Sequence, residues 1–401
     1  MSAVATKTIN AADVMLPKSS IWAKMPFIAG AIGLAGIGGA LALPSEHHAN
    51  YFAYLTAFLF FLSIALGSLF FCMIFFLTRS AWNVAIRRVA EASLGTLPVF
   101  ALLFIPVLLG AEHIYHWMDP HALETDVILQ AKAAYLNKGF FFVRAAVYFL
   151  IWTGLSLVFR QMSIKQDTTG DEKTTVRLQA LAAPGIALGA LSLTFAAFDW
   201  NMSIDYHWFS TMYGVIYFAG GFIGNFGLLV LMIIFFRGNG FFKGHVTVQH
   251  LHGAGKMLFG MNAFWAYVSF SQFMLIWYAN IPEETIWYQH RWDGNWKYVS
   301  MFLAVGHFVI PFIFFMSRHM KRNPAVAAFF ATWLLAMHYL DVYWMVMPNV
   351  YHGNAQFGLG EILSVIGVGG VFFAAFTWLL GQAPLIPVKD PRLPESLAFE
   401  N

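Results

Sequence analysis

The chain has 401 residues, 59% of them hydrophobic and only 11% charged. Soluble domains carry about 25% charged residues, so the composition excludes an ordinary soluble enzyme and points to a protein that crosses a membrane several times. The net charge of +3 is spread along the chain and builds no basic patch for nucleic acid. A single cysteine, Cys72, excludes a disulfide, a CxxCH haem attachment, and a cysteine cluster for iron–sulfur or zinc. Any such centre would sit on another polypeptide.

Residues 1–24 are polar and mixed. They lack the order of basic segment, short apolar stretch and cleavage site that marks a secretory leader, and they read as a cytoplasmic tail. About 20 apolar residues span a bilayer. Ten such runs follow: 25–43, 51–77, 94–114, 140–159, 179–198, 210–236, 255–279, 296–317, 324–347 and 359–381. The polar gaps between them are too short to hold a soluble core.

In the first run Gly30, Gly33, Gly36 and Gly39 form a small-residue stripe, the pattern that lets helix backbones approach closely. The third run leaves through "IYHWMDP" (114–120) and the seventh through "IWYANIP" (276–282). The fifth ends around Asp199 in "FDW" and the ninth around Asp341 in "HYLD". Runs 2–5 and 6–9 thus read as weak copies, a parallel repeat about an axis along the membrane normal. The predicted fold is all-α and integral to the membrane: ten spans, two four-helix bundles, and helices 1 and 10 as flanks. By residue, the division is tail 1–24, flank 25–50, first bundle 51–209, second bundle 210–348, flank 349–381 and tail 382–401.

Lys and Arg alternate with the loops. The two tails and the loops after runs 2, 4, 6 and 8 hold 18 of the 23. The opposite loops and helix ends hold only Lys132, Lys138, Arg144, Arg291 and Lys297. Positive residues stay inside, so both termini are expected to be cytoplasmic. Trp and Tyr crowd the other ends, as an interfacial belt requires.

Charged groups inside a bilayer are expensive, so each one marks a candidate site. His307, His338 and Asp341 fall near mid-depth in the eighth and ninth runs. They could line one polar track for protons, or make an inter-helix hydrogen bond that fixes packing, or offer two imidazoles to a b-type haem. Near the outer ends, Glu112, His113, Arg144 and Asp199 could receive a quinone head group, or form an ion pair that clamps the bundle. At the inner end of the seventh run, His250, His252 and Lys256, with Asn262 above them, read as the cytoplasmic mouth of a relay or as a solvated helix end. Glu361 reads as a charge favoured by the dipole at the start of the tenth helix.

The stretches "FDWNMSIDYHWFSTMYG" (198–214) and "SQFMLIWYANIPEETIWY" (271–288), with "TRSAWNVAIRRVAE" (78–91) and "YLNKGFFFVR" (135–144), resemble the NrfD/polysulfide-reductase family of membrane subunits. The likeness is greatest to the smaller NrfD-like subunit of alternative complex III, a bacterial quinol:cytochrome c oxidoreductase. That resemblance implies two four-helix bundles with two peripheral helices, in a bacterial cytoplasmic membrane. It implies a sister NrfD-like subunit, haem and iron–sulfur centres on partner subunits, and cytochrome c or a terminal oxidase as acceptor. This chain would carry no covalent cofactor of its own, with a quinone (menaquinone, for example) as its only candidate small molecule. Carried over by position, Asp199, Asp205, His207 and Trp208 join Glu112, His113 and Arg144 around a quinone pocket. Asp199, His252 and Lys256 join His307, His338 and Asp341 in a proton relay. Pro282, Glu283 and Glu284 belong to the second motif. Tyr206 stands where the family pattern has Pro, which should alter that turn and leave its polar groups. Two other classes remain for the chain: a secondary transporter, and a haem b or quinone-binding anchor acting without a sister subunit.

Overall fold

A computed structural model describes residues 9–17 and 21–400. Parts of the expected tails, 1–8, 18–20 and 401, lie outside the described residues. Among the described residues the chain is helical, with no strand. The long elements are α1 (Met25–Ala42), α2 (Ala49–Leu77), α3 (Val84–Leu109), α4 (Lys138–Thr169), α5 (Glu172–Trp200), α6 (Tyr213–Gly238), α7 (Val248–Ala279), α8 (Trp296–Phe315), α9 (Pro324–Val346) and α10 (Leu359–Leu380). Nine of them, all but α7, are long and apolar enough to cross a membrane, and the protein is a multi-pass membrane protein. The hydropathy of α7 is diluted by Asn262, Tyr267, Ser269, Ser271 and Gln272, although the helix runs for 32 residues.

Within α2–α5 each helix meets the next, and α5 returns to α2; α6–α9 close a second ring in the same way. The two rings touch where α2 meets α6. There a Cβ added to Gly67 would fall inside the Gly221 carbonyl oxygen, and one added to Gly221 would stand 2.6 Å from the Ser63 oxygen. Only glycine permits that approach. Outside the rings α1 lies along α10. Of the glycine stripe, Gly33 and Gly36 are the two at backbone contact, with Gly370 and Gly367 opposite.

Three expectations change. Helix α3 begins ten residues before the predicted run, so Arg87, Arg88 and Glu91 lie buried in a helix rather than in a solvated loop. Hydropathy stops at charges, but these neutralise one another. Glu91 accepts from Arg87 Nε at 2.8 Å and from Arg88 at 2.5 Å, while Arg88 also reaches Asp167 at 2.5 Å. Proline, lacking an N–H, then breaks α3 into short pieces opening at Leu97–Pro98 and Ile105–Pro106. Second, the predicted loop 160–177 is almost all helix: α4 and α5 extend into it and turn at Gly170, whose φ of 66° suits glycine. Third, the C-terminal segment is not a free tail. Leu385, Ile386, Asp390, Leu393 and Ser396 are buried. Asp390 pairs with Arg87 at 2.8 Å, Ser396 Oγ accepts from Ala85 N at 3.0 Å, and His250 Nε2 lies 3.0 Å from Ser396 O. This strap therefore ties the start of α3 to the start of α7.

Candidate functional site

Two residues on α9, His338 and Asp341, are both buried but serve different neighbours. His338 Nε2 is 2.7 Å from Ser63 Oγ on α2, and its ring lies against Gly220 of α6, where a Cβ would sit 2.5 Å from the imidazole. Gly220, Gly221 and Gly224 thus open the room that places a histidine at the seam between the bundles. Asp341, one turn outward, faces α7 and accepts from Trp265 Nε1 at 3.0 Å. Among the described residues it has no ion-pair partner.

His307 sits in a π-helical turn, Leu303–Val309. Pro311 has no N–H to return to the preceding turn, and the Gly306 carbonyl instead accepts from Trp333 Nε1 at 2.7 Å. Such a bulge turns a side chain off the regular helical register. Here it sets the His307 ring parallel to Trp265, 3.7 Å between centroids, with Nδ1 3.0 Å from Asn262 Oδ1 on α7. His307 and Asp341 are thus both in contact with α7: His307 with Asn262 and the Trp265 ring, and Asp341 with the Trp265 N–H. The two imidazoles hydrogen-bond to different helices, α2 and α7, through His338 Nε2 and His307 Nδ1. His307 Nε2, His338 Nδ1 and the amide nitrogens of Asn225 and Asn262 are buried and find no partner among the described residues. Polar atoms of this kind are what a buried water satisfies.

The first bundle is built from related parts and closed differently. Arg144 on α4 grips Asp199 on α5 through two bonds, Nε at 2.7 Å and Nη2 at 2.9 Å. Tyr148 donates to the same carboxylate at 2.7 Å, Tyr135 O accepts from Nη1 at 2.9 Å, and the Tyr135 ring lies 3.8 Å from the guanidinium carbon. This fork is fully occupied, so Asp199 clamps the bundle. In the second bundle Asp341 and the buried Arg291 form no ion pair with each other. Arg291, 1% exposed, donates to three carbonyls, Trp344 O at 3.1 Å, Met345 O at 2.7 Å and Trp287 O at 3.0 Å, and its guanidinium carbon lies 3.6 Å from the Trp287 ring. It caps the negative end of α9, one turn outward of Asp341. Burial lowers its pKa to about 10, which leaves it charged at neutral pH.

The remaining outer candidates do not converge on Arg144. Glu112 is exposed and takes Lys138 at 2.6 Å. His113 stacks on His48 at 3.7 Å. His207 and Tyr206 both reach Asp126 in the outer loop, at 2.6 and 2.8 Å, so the tyrosine at the expected proline position makes a contact proline could not. Trp208 stacks on Trp287 at 4.7 Å and donates to Glu284 O at 3.1 Å. Asp205 is half-buried with Oδ2 unpartnered among the described residues. Glu283 and Pro282 open the short helix Pro282–His290. The predicted pocket residues thus take separate partners and are not hydrogen-bonded to Arg144 or Asp199 among the described residues.

At the start of α7 His250 is structural, completing a capping box with Thr247 as well as holding the strap. His252 is buried with Nδ1 unpartnered among the described residues, while Lys256 is exposed. Glu361 caps α10, accepting from Gly358 N at 2.9 Å. Among the described residues no group of three or more His, Cys, Asp or Glu could hold a metal.

Sequence reasoning missed Trp265, Ser63 and Arg291, and a second polar cluster one to two turns inward of His338. In it Ser68 Oγ meets Ser93 Oγ at 2.8 Å and Asn225 Oδ1 at 2.9 Å. Serine, asparagine and tryptophan carry no charge to flag them in an apolar run. The one signal in the sequence was "GGFIGN" (220–225), too many small residues for lipid contact alone. No protein-family model matches the chain, and no curated protein matches it in sequence.

Proposed function

We propose that the chain is a ten-span subunit of a quinol-oxidising respiratory complex in a bacterial cytoplasmic membrane, with both termini cytoplasmic, and that its second bundle carries protons. The observation behind the relay is the state of Asp341: a buried carboxyl on an indole N–H with no ion-pair partner among the described residues. Such a carboxyl can take and release a proton without breaking an ion pair, whereas Asp199, its counterpart in the first repeat, cannot. His338 and His307 stand within the same layer as exchange partners, and Ser63, Ser68, Asn225 and Ser93 extend polar groups from His338 toward the inner end.

The respiratory setting rests on the resemblance of the two long motifs to NrfD-like subunits. On that reading the chain sits beside a sister subunit. Haem and iron–sulfur proteins carry the electrons to cytochrome c or a terminal oxidase, and quinol reacts at the outer side. Arg144 and Asp199 then serve assembly and not quinone binding.

The test has two parts. Extraction in a gentle detergent should bring down haem- and iron–sulfur-containing partners; a lone solute-binding homo-oligomer would instead mark a secondary transporter. In the complex reconstituted in vesicles, Asp341→Asn and His338→Ala should leave assembly intact and lower the protons moved per electron. An unchanged stoichiometry in both variants would remove the relay.

A further inference from the structure

The inner end of the second bundle has an unusual charge balance. No Asp or Glu occurs between Asp205 and Glu283, or between Asp293 and Asp341. The inner segments within those intervals nevertheless hold Arg237, Lys243, Lys256, Arg318, Lys321 and Arg322. At the inner end of the first bundle the arginines meet Glu91, Asp167 and Asp390. The inner segments of the second bundle supply no carboxylate of their own.

A cavity of about 540 Å³ opens in this region, between the end of α6, the loop after it, and the starts of α7 and α9. That volume is of ligand size. Its walls are Ile234, Phe242, Val246, Val248 and Pro324, and its two charged lining residues are Arg237 and Lys243. Neither is in an ion pair among the described residues, and no carboxylate lines the cavity. The loop is bent for the purpose. Gly240, Lys243 and Gly244 have φ of 72°, 48° and 80°, three left-handed residues in five. A lysine in that conformation is strained, and the bend brings it to the cavity rim. The first turns of α7 and α9 add their positive dipole ends. Trp22, packed on Phe235 at 4.9 Å and on Phe241 at 6.2 Å, stands by the same loop at the depth an interfacial aromatic takes.

We propose that this cavity holds the phosphate-bearing headgroup of one anionic phospholipid of the inner leaflet, with Arg237 and Lys243 as its cations. Basic pockets between membrane helices on the cytoplasmic side recognise such headgroups. A free phosphate shares the charge, but the apolar walls suit the glycerol and the upper acyl chains, and the cavity lies at the ends of α6, α7 and α9. The inference depends on the membrane placement of the helices and not on the respiratory reading.

Delipidated protein should be offered phosphatidylglycerol, phosphatidylcholine or inorganic phosphate, with bound lipid read by native mass spectrometry and stability by thermal unfolding. One phosphatidylglycerol should be retained in preference to phosphatidylcholine, and it should raise the unfolding temperature. Arg237→Gln with Lys243→Gln should cut retention by roughly 30-fold, two surface cations' worth. Arg237→Lys with Lys243→Arg should restore it, and Lys165→Gln with Lys173→Gln in the first bundle should leave it unchanged. Lipid-free unfolding temperatures equal to wild type show that the variants fold. Equal retention of the two lipids, or no loss in the glutamine pair, overturns the site. Stabilisation by inorganic phosphate equal to that by phosphatidylglycerol overturns the lipid assignment.

Discussion

Replacing Arg144 with Met is the most direct test of the contrast between the two bundles. Asp199 is fully buried, and the substitution leaves its carboxylate with one Tyr148 hydroxyl in place of a fork plus that hydroxyl. Removing one partner of a buried ion pair costs about 3–5 kcal/mol, because the other charge remains desolvated. Loss of the stacking on Tyr135 and Phe140 adds about 0.5–2 kcal/mol. Asp199→Asn alone strands Arg144 and should cost a comparable 3–5 kcal/mol. The double variant strands neither group and should cost less than either single one, which is the sign of coupling between the two side chains. Asp341→Asn strands no cation, and its cost should stay below about 1 kcal/mol. Unfolding titrations in mixed micelles, followed by tryptophan fluorescence, measure all four. If Arg144→Met falls within about 1 kcal/mol of wild type, or the double variant is worse than either single one, the clamp reading of the first bundle is wrong.

Three other outcomes follow from the packing and the charges. Gly67→Ala should destabilise by more than about 3 kcal/mol or abolish folding, since its methyl group meets the Gly221 carbonyl, whereas Gly38→Ala, with nothing within 4 Å, should leave yield and melting unchanged; equal yields would contradict the seam. Asp390→Ala should lower stability by about 3 kcal/mol and speed proteolysis of residues 382–400, because Arg87 loses its bond to the strap; unaltered proteolysis would show that the strap is held by apolar contacts alone. In the outer loop the Tyr206 hydroxyl, then the Leu129 amide, holds the Asp126 carboxyl below its usual range. A depressed carboxyl contributes stability above its unfolded value of 3.8 and loses it as pH falls through the lower folded one. Pepsin should therefore spare residues 119–137 near pH 3.5 and cut them near pH 2, with Tyr206→Phe moving the change upward; cutting at both values in wild type would refute the clamp.

Much of the helical plan was legible in the sequence, because a bilayer demands long apolar runs. The predicted runs at 51–77 and 324–347 lie within a few residues of α2 and α9. Errors arose where charge is compensated at a distance. Arg87, Arg88 and Glu91 look like solvated loop residues until Asp167, 76 positions beyond Glu91, and Asp390 are seen beside them. The candidate site was half legible for a related reason. His307, His338 and Asp341 announce themselves by cost, and the partnership of Arg144 with Asp199 was one of two expected. Trp265 and Ser63 are invisible in a single chain of letters, since their meaning depends on which helix stands opposite. Nor does a local pattern disclose that Pro311 accompanies a π turn that aims His307 at α7.

The pairing of α1 with α10 bears on how the protein is made. Gly33 and Gly370 touch across more than 300 residues of chain, and α1 has few other neighbours. During synthesis α1 enters the lipid first among the long helices, and its glycine face has no counterpart until the tenth has emerged and inserted. Contacts so distant in sequence form late. The nascent chain must therefore keep the glycine face of that helix unpartnered while both bundles assemble.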